Sequence, residues 1–470
     1  MRLARRPWPE APHDPCHPGR PHGGAAAAGR LAPVPRRGRR RARPASRAPG
    51  LRVVRRHRIH RDRLGRPPRV AGTGPRGRRR SLAGASRDHA GGRRPARLDA
   101  RPGAQHQEPR RVAAPGRRNS LSSHRSIHLK FGVFDHVDRG QVSLAEHYEN
   151  RLKLAEAYDR EGFHAYHIAE HHSTPLGIAS SPSVFLSAVA QRTRRLRLGT
   201  CVFTLPLVNP LRLLEEVCML DQMSGGRLEM GVGRGSSPYE LAYFGVTPEA
   251  SGVLYKEGYE VLMQGLKSRS ITFEGQHYRF KDVPVELECI QKPTPPVWYG
   301  LSAPAAVPWT AENGINIMCN GPADKIRPLT DRYREVWAGS PRSSRQPLPL
   351  LGMVRHIVVA DTRQEALAAG KRGFDRWYAS LQHLWRLHGN PMTHYPIPED
   401  FNAGVDLGVI LAGTPDEVAE GLARELEASG ANYLLARLAF GDLTYEESLR
   451  SAQLLAREVM PRFVRESVTA

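Results

Sequence analysis

From residue 129 to the C-terminal end of the chain, short apolar runs of strand character alternate with longer segments of helical period. Such alternation limits the chain to parallel strands, because a parallel neighbour is reached only through a crossover, usually a helix. Two architectures satisfy it, an open doubly wound sheet and a closed (β/α)8 barrel. Strands are expected at 129–134, 163–170, 196–205, 227–233, 297–301, 315–319, 354–359 and 433–440. Between the fourth and fifth, residues 271–280 read as an inserted β-hairpin. Eight such units with one inserted hairpin favour the closed α/β barrel.

Helix ends are written locally. Ser143 is placed to cap a helix whose expected apolar face is Leu144, Tyr148, Leu152 and Ala155. Further helical stretches are expected at 183–191, 255–266, 307–312 and 326–337. Asn209-Pro210 opens another, since proline at a first helical position loses no hydrogen bond, and Ser224-Gly225-Gly226 stops it. Thr362-Arg363-Gln364-Glu365, Thr414-Pro415-Asp416-Glu417 and Thr444-Tyr445-Glu446-Glu447 are T-x-x-E capping boxes. Val418, Leu422 and Leu426 form the apolar face after the middle box, up to Gly430. Residues 384–406 show no period, and a loop of that length is expected to be a lid or disordered.

Charge divides the chain near residue 126. Residues 1–126 hold 34 Arg, no Lys and 6 acidic residues, whereas the remainder holds 36 basic and 40 acidic ones. The net charge of +24 therefore belongs to the N-terminal segment, and residues 127–470 give no hint of nucleic-acid binding. The segment 1–126 is rich in Arg, Pro, Gly and Ala, lacks apolar periodicity, and is expected to be disordered. Three readings compete for it. It is translated GC-rich DNA upstream of the true start, a basic arm for nucleic acid or an anionic surface, or a transit peptide. The first is preferred; no Met lies between Met1 and Met219, so it requires an alternative start near Leu121. The 344 residues of 127–470 suit one elaborated barrel. No run of about 18 apolar residues occurs, so no membrane span is expected. The five Cys show no CxxC spacing, which argues against zinc and a disulfide scaffold and fits the cytoplasm.

Three places could carry chemistry. The second strand ends Ala169-Glu170-His171-His172. Neighbouring strand residues face opposite ways, so at most one of these histidines enters a barrel mouth. A His with an adjacent carboxylate can act as acid or base near neutral pH; equally, one His is structural and the other lies on the surface. No third ligand at a recognisable spacing supports a metal site. The fourth strand ends Gly231-Val232-Gly233-Arg234-Gly235, which lacks the full G-x-G-x-x-G spacing of a dinucleotide loop. Its glycines would let a flat ligand approach, and Arg234 can fork onto a phosphate or pair with a surface carboxylate. Ser302, after the fifth strand, offers a hydroxyl and nearby helix amides to an anion, or is an ordinary cap.

Taken together, these motifs resemble the bacterial-luciferase-like flavin monooxygenases. Ala169 to His172 is similar to the family's strand-two motif, and the run from Leu220 through Ser224, Gly225, Gly226 and Arg227 to Gly235 is similar to its strongest signature. Gly413-Thr414-Pro415-Asp416-Glu417-Val418 resembles its late capping motif. The likeness covers 127–470 and none of 1–126. It implies a (β/α)8 barrel, often a homodimer, and FMN used as FMNH2 supplied by a separate flavin reductase. Oxygen would add at the flavin C4a to give a hydroperoxide that oxygenates a small organic substrate. A reduced deazaflavin in a hydride-transfer enzyme is the alternative within the superfamily. By the resemblance, His171 is the catalytic acid/base, with Glu170 setting its charge. Arg234 and Ser302 contact the flavin phosphate, and Gly233 lies near the flavin. Glu215 matches an acid on the helix after strand three, and Cys201-Val202 a non-proline cis peptide beneath the flavin ring. Two departures stand out. A second phosphate-binding Arg is absent from Ala250-Ser251-Gly252-Val253, and Gly233 replaces the reactive Cys of luciferase, which argues against light emission.

Overall fold

The computed structural model describes residues 129–392 and 395–463. The expectations for 1–126 lie outside the described residues. Within them the chain runs β1 (Lys130–Asp135), α1 (Leu144–Arg160), β2 (Ala165–Ile168), α2 (Pro182–Arg192), β3 (Arg197–Thr200), β4 (Phe203–Thr204), α3 (Pro210–Ser224) and β5 (Leu228–Gly233). Next come α4 (Pro238–Tyr243), α5 (Pro248–Gly265), the hairpin β6 (Ser270–Glu274) and β7 (Arg279–Pro284), β8 (Val297–Gly300), α6 (Val307–Glu312), β9 (Asn316–Cys319) and α7 (Ala323–Ala338). The last third holds β10 (Leu351–Val359), α8 (Arg363–Leu381), α9 (His383–Leu387), α10 (Phe401–Asp406), β11 (Ile410–Gly413), α11 (Pro415–Ser429), β12 (Tyr433–Arg437) and α12 (Tyr445–Leu454).

Eight strands pair in parallel in the order β12, β1, β2, β3, β5, β8, β9, β10, and β10 returns to β12. This ring is the (β/α)8 barrel that the alternation predicts, and each of its strands falls on an expected one. Closure rests on β1, whose Lys130 sits opposite Tyr433 of β12 and whose Gly132 sits opposite Ala165 of β2. Apolar side chains on the outward strand faces and the inward helix faces form the larger core. A smaller one fills the barrel itself, with Phe134, Ala169, Cys201, Trp298, Val354, Tyr433 and Leu435. The hairpin stands apart as a two-stranded antiparallel sheet.

Local chemistry explains the helix starts. Thr414 and Thr444 make reciprocal capping boxes with Glu417 and Glu447. Ser143 accepts from the Glu146 N–H, and Asn209 from that of Leu211. Gly225 and Gly430 end their helices at φ +67°, a conformation that costs glycine nothing.

Five expectations need correction. The strand expected at 196–205 is broken into β3 and β4 by a cis Cys201–Val202 peptide. Helix α1 does turn Ala155 inward and packs Tyr148 and Leu152 against the core, but Leu144 is exposed, and the polar His147 and Arg151 take inward positions together with Leu154 and Tyr158. The helix expected at 255–266 starts at Pro248, capped by Thr247. The described part of 384–406 is no plain loop; it carries the end of α9 and α10, and Leu384, Ile397 and Phe401 are buried. The short strand β11 was not expected, and it pairs the end of β10 from His356 to Val359, where β9 has already stopped. No helix among the described residues is long and apolar enough to cross a membrane.

Candidate active site at the barrel mouth

Period-two alternation assigns the mouth. Tyr433 and Leu435 of β12 face the barrel interior, so Arg437 continues that face at the C-terminal end of the strand. The same count from Val354 gives His356, from Ala169 gives His171, and from Trp298 gives Gly300 and Ser302. In the sheet order, Arg437, the residues after β1, His171, the Cys201–Val202 bond, Gly233 with Arg234, Ser302, Asn320 and His356 follow one another around the rim. Barrel enzymes carry their chemistry at this end of the strands.

His171 is tied to an acid that the sequence reading missed. Its Nδ1 lies 3.1 Å from Glu240 Oε1, and the other Glu240 oxygen accepts the His172 backbone N–H at 2.8 Å. Burial opposes the charge on Glu240, but the His171 ring, with its hydrogen bond, and the His172 N–H hold the carboxyl below the usual carboxylate range. Glu170, expected to set the charge of His171, instead reaches His172 Nε2 at 3.0 Å and the Thr204 N–H at 3.1 Å. It clamps the segment after the cis peptide to the end of β2. The signal for Glu240 was present in Ser237-Pro238-Tyr239-Glu240, an S-x-x-E helix start. Ser237 does cap α4 through the Glu240 N–H at 3.3 Å, which leaves the Glu240 carboxylate free to reach His171.

On the other face of His171 lies His136, the residue after β1. The two rings stack with centroids 5.5 Å apart, and Trp377 Nε1 donates to His136 Nδ1 at 3.4 Å. Burial first, then the Arg437 charge, hold His136 well below its usual value, so it is neutral near pH 7. Beyond Trp377, His356 sits edge-on to Trp377, Phe440 and Phe374, with centroids at 4.4, 4.9 and 5.3 Å. The Arg437 guanidinium lies 5.0 Å from the ring centroids of both Phe134 and Trp377, and its Nη2 donates to Asn320 at 3.4 Å. Among the described residues, both nitrogens of His356, and Nε and Nη1 of Arg437, are buried without a hydrogen-bond partner. Each such orphan costs roughly 1–3 kcal/mol. His136, His356 and Arg437 went unnoticed in the sequence because their neighbours come from four different strands and α8.

The remaining expected residues divide. Cys201–Val202 is cis, as the resemblance implies, and Val202 is half-buried at the mouth. Cys201 is buried with its Sγ 3.8 Å from His167 Nδ1, and burial pushes its thiol pKa up. Arg234 is half-buried and close enough to Tyr299 for its charge to lower the phenol's pKa against the upward push of burial. Ser302 is exposed; Ala303, not Ser302, occupies the cap position of the short turn that follows. Gly231 and Gly233 serve the protein itself. A Cβ at Gly231 would lie 1.9 Å from the Thr200 carbonyl oxygen, and one at Gly233 would lie 2.4 Å from Val202 Cγ2. Gly300 is different: a Cβ there meets nothing nearer than Met318 Cε at 4.0 Å, so glycine leaves open space in the mouth. Glu215 is exposed on α3, on the outside of the helical layer beside exposed Arg212 and Met219, and does not join these groups. Among the described residues no cluster of His, Cys, Asp or Glu could hold a metal ion.

Helix α4, which carries Glu240, is also gripped by the segment after α8. Tyr239 stacks on His388 at 4.3 Å, Tyr243 hydrogen-bonds His388 Nε2 at 2.8 Å, and Asn390 donates to Tyr239 at 3.2 Å.

The family model described as luciferase-like monooxygenase matches residues 129–433. An uncharacterised protein of Sinorhizobium fredii, y4wF, is 43% identical over 71% of this chain and 97% of its own length. The oxygenase component of a flavin-dependent trigonelline monooxygenase from Acinetobacter baylyi is 26% identical, covering 71% of this chain and 96% of that protein. Among solved structures, the monooxygenase RslO1 of Streptomyces bottropensis is 27% identical with a TM-score of 0.65, over 71% of this chain and all of that one. A coenzyme F420-dependent reductase of Methanopyrus kandleri, 17% identical with a TM-score of 0.54 over 72% of this chain and 99% of that one, shares the fold alone.

Proposed function

Because this chain belongs to the luciferase-like monooxygenase family, we propose that it uses reduced FMN and dioxygen to oxygenate a small organic substrate. The observation that carries the reading is the His171–Glu240 pair on the mouth rim, set on the same rim as Arg234 and Ser302. The residues present fit a flat, anionic group. Gly300 leaves room between the β5 and β9 sides, Arg234 supplies a cation for a phosphate, and the Ser302 hydroxyl stands exposed after the neighbouring strand β8. With Ala250 to Val253 free of Arg, Arg234 carries that charge without a second arginine from this stretch. Bound reduced flavin supplies the electrons that activate dioxygen, one atom going to the substrate and the other to water. The protein's part is to place protons and exclude bulk water. His171 holds or yields a proton at Nε2 while Glu240 fixes Nδ1, and the neutral His136 ring covers its other face. Tyr239, Tyr243 and His388 hold the segment after α8 against the helix that bears Glu240, and so help to cover the mouth.

The relative from Acinetobacter is named an oxygenase component, which supports a separate reductase as the source of FMNH2. Val184 on α2 and Met219 and Met223 on α3 are exposed apolar residues on adjacent helices, which supports a homodimer through that face. The four buried free thiols among the described residues accord with the cytoplasm.

Stopped-flow absorbance of the full chain, mixed with FMNH2 and oxygen, tests the reading. A transient absorbing species that precedes oxidised FMN, and that decays faster with substrate, is the expected result. Oxidised FMN without a transient, together with oxidation of a reduced deazaflavin coupled to substrate reduction, would replace it with the hydride-transfer alternative.

A further inference from the structure

The mouth holds more positive character than a proton relay needs. Arg437 is 1% exposed, yet among the described residues no carboxylate lies within ion-pair distance of it. Its immediate company is the faces of Phe134 and Trp377, the Asn320 side-chain oxygen and the Tyr395 phenol. Asp138, the acid whose field reaches it, is already engaged by the Gly441 N–H and by Arg151. Arg355, next to its β10 neighbour His356, is bonded to Glu425 and adds no negative charge. His356 brings two more unpaired nitrogens, and it pairs in register with Arg437 across β10 and β12. A buried cation is ordinarily matched by an anion, because removing it from water otherwise leaves a large desolvation cost. Among the described residues no carboxylate pairs with it, and two of its guanidinium nitrogens, Nε and Nη1, stand buried without a hydrogen-bond partner on the interior face of the rim. The walls around them are rings, which suit a planar apolar body with one charged end.

We infer that Arg437 anchors the carboxylate of the organic substrate, with Phe134 and Trp377 bracketing its planar part, so that the enzyme acts on aromatic or conjugated organic acids. His356, beside Arg437, offers a further ring N–H to the same group. A guanidinium fits a carboxylate through paired N–H donors, which a neutral amide cannot reproduce. This deepens the oxygenase reading by naming its substrate class, and rests on it.

The test is binding without turnover. Flavin-free full-length protein is titrated with benzoate and with benzamide, read by tryptophan fluorescence, to which Trp377 contributes, and by calorimetry. Benzoate is expected to bind at least about tenfold more tightly than benzamide, and Arg437→Gln to abolish that preference. If Arg437→Gln does not fold, the acid-against-amide comparison on the wild-type chain decides alone. Equal affinities, absence of saturable benzoate binding in the millimolar range, or an acid preference that survives in a folded Arg437→Gln chain each overturn the inference. No flavin enters the titration, so a failed oxygen reaction leaves its outcome intact, and loss of the acid preference leaves the oxygenase reading intact.

Discussion

Glu240 bridges two consecutive residues of the rim, meeting the His171 ring at 3.1 Å with one oxygen and the His172 backbone N–H at 2.8 Å with the other. A single carboxylate thereby fixes both the ring orientation and the backbone that carries it. Glu240→Gln keeps the shape and removes the charge. We expect kcat to fall by roughly 10²-fold, with little change in substrate KM. The pair also affects stability. Because the folded pKa of Glu240 is depressed, its contribution is complete above the ordinary carboxylate value and is lost as pH falls through the folded one. Urea midpoints of wild type and Glu240→Gln should therefore converge on acidification; a gap that widens towards acid would falsify this electrostatic account.

Deep in the barrel, Glu229 accepts from Arg197 Nε at 2.5 Å and from the Trp298 indole, with His164 at 3.5 Å. Burial opposes its charge, but His164, His167 and Arg197 outweigh it and hold the pKa at about 2. Its stabilisation is present above the unfolded carboxylate value and disappears only as pH falls towards 2. Glu229→Ala leaves Arg197 without its carboxylate and should cost about 3–5 kcal/mol in urea unfolding at pH 7. A loss below about 1 kcal/mol would show that the network is dispensable.

Two glycines of β5 differ in what they meet. At Gly233 an added Cβ collides with a side chain, Val202 Cγ2, whereas at Gly231 it collides with the Thr200 carbonyl. Gly233→Ala should cost roughly 1–3 kcal/mol and be largely relieved by Val202→Ala, whereas Gly231→Ala should cost more and find no such relief. The double-mutant cycle by thermal melting decides it: strict additivity of Gly233→Ala and Val202→Ala rejects the contact as the cause.

Asp138 is buried between Arg151 and the Gly441 N–H. Burial, with the Asp135 charge adding to it, lifts its pKa from 3.8 to about 7 in spite of those two partners. The folded state therefore keeps a proton that the unfolded chain has released, so this group's contribution to stability declines from about pH 4 to about pH 7. Asp138→Asn can still accept from Gly441 and should flatten that slope. Melting temperatures measured at pH 5 and pH 8 should differ less in the variant than in the wild type, and an unchanged difference would assign the slope to another group.

All eight barrel strands were readable because each is an apolar run bounded by a cap or a turn, which is information local in sequence. The face of α1 was read only in part, for the opposite reason. Arg151 turns inward where Asp135, at the end of β1, and Asp138, just after it, stand to receive it. The site was legible in part by the same rule. His171 follows a strand whose end was marked by motif, whereas the cis Cys201–Val202 bond was legible only through the family resemblance. Arg437 and His356 needed the strand alternation to be carried two residues past the interior apolar positions Leu435 and Val354. Glu240 needed a contact across 69 positions, which no local pattern reports beyond the S-x-x-E cap that places it.

The strand that closes the barrel is the last one made. The hydrogen bond from the Gly441 N–H to Asp138 spans 303 positions, and β1 lacks its second neighbour until β12 has been synthesised. On the ribosome, the first half of the chain thus emerges with β1, and His136 just after it, on an unpaired parallel edge, long before His356 and Arg437 exist. A polypeptide released early would lack His356 and Arg437, and its open β1 edge would be a natural foothold for chaperones.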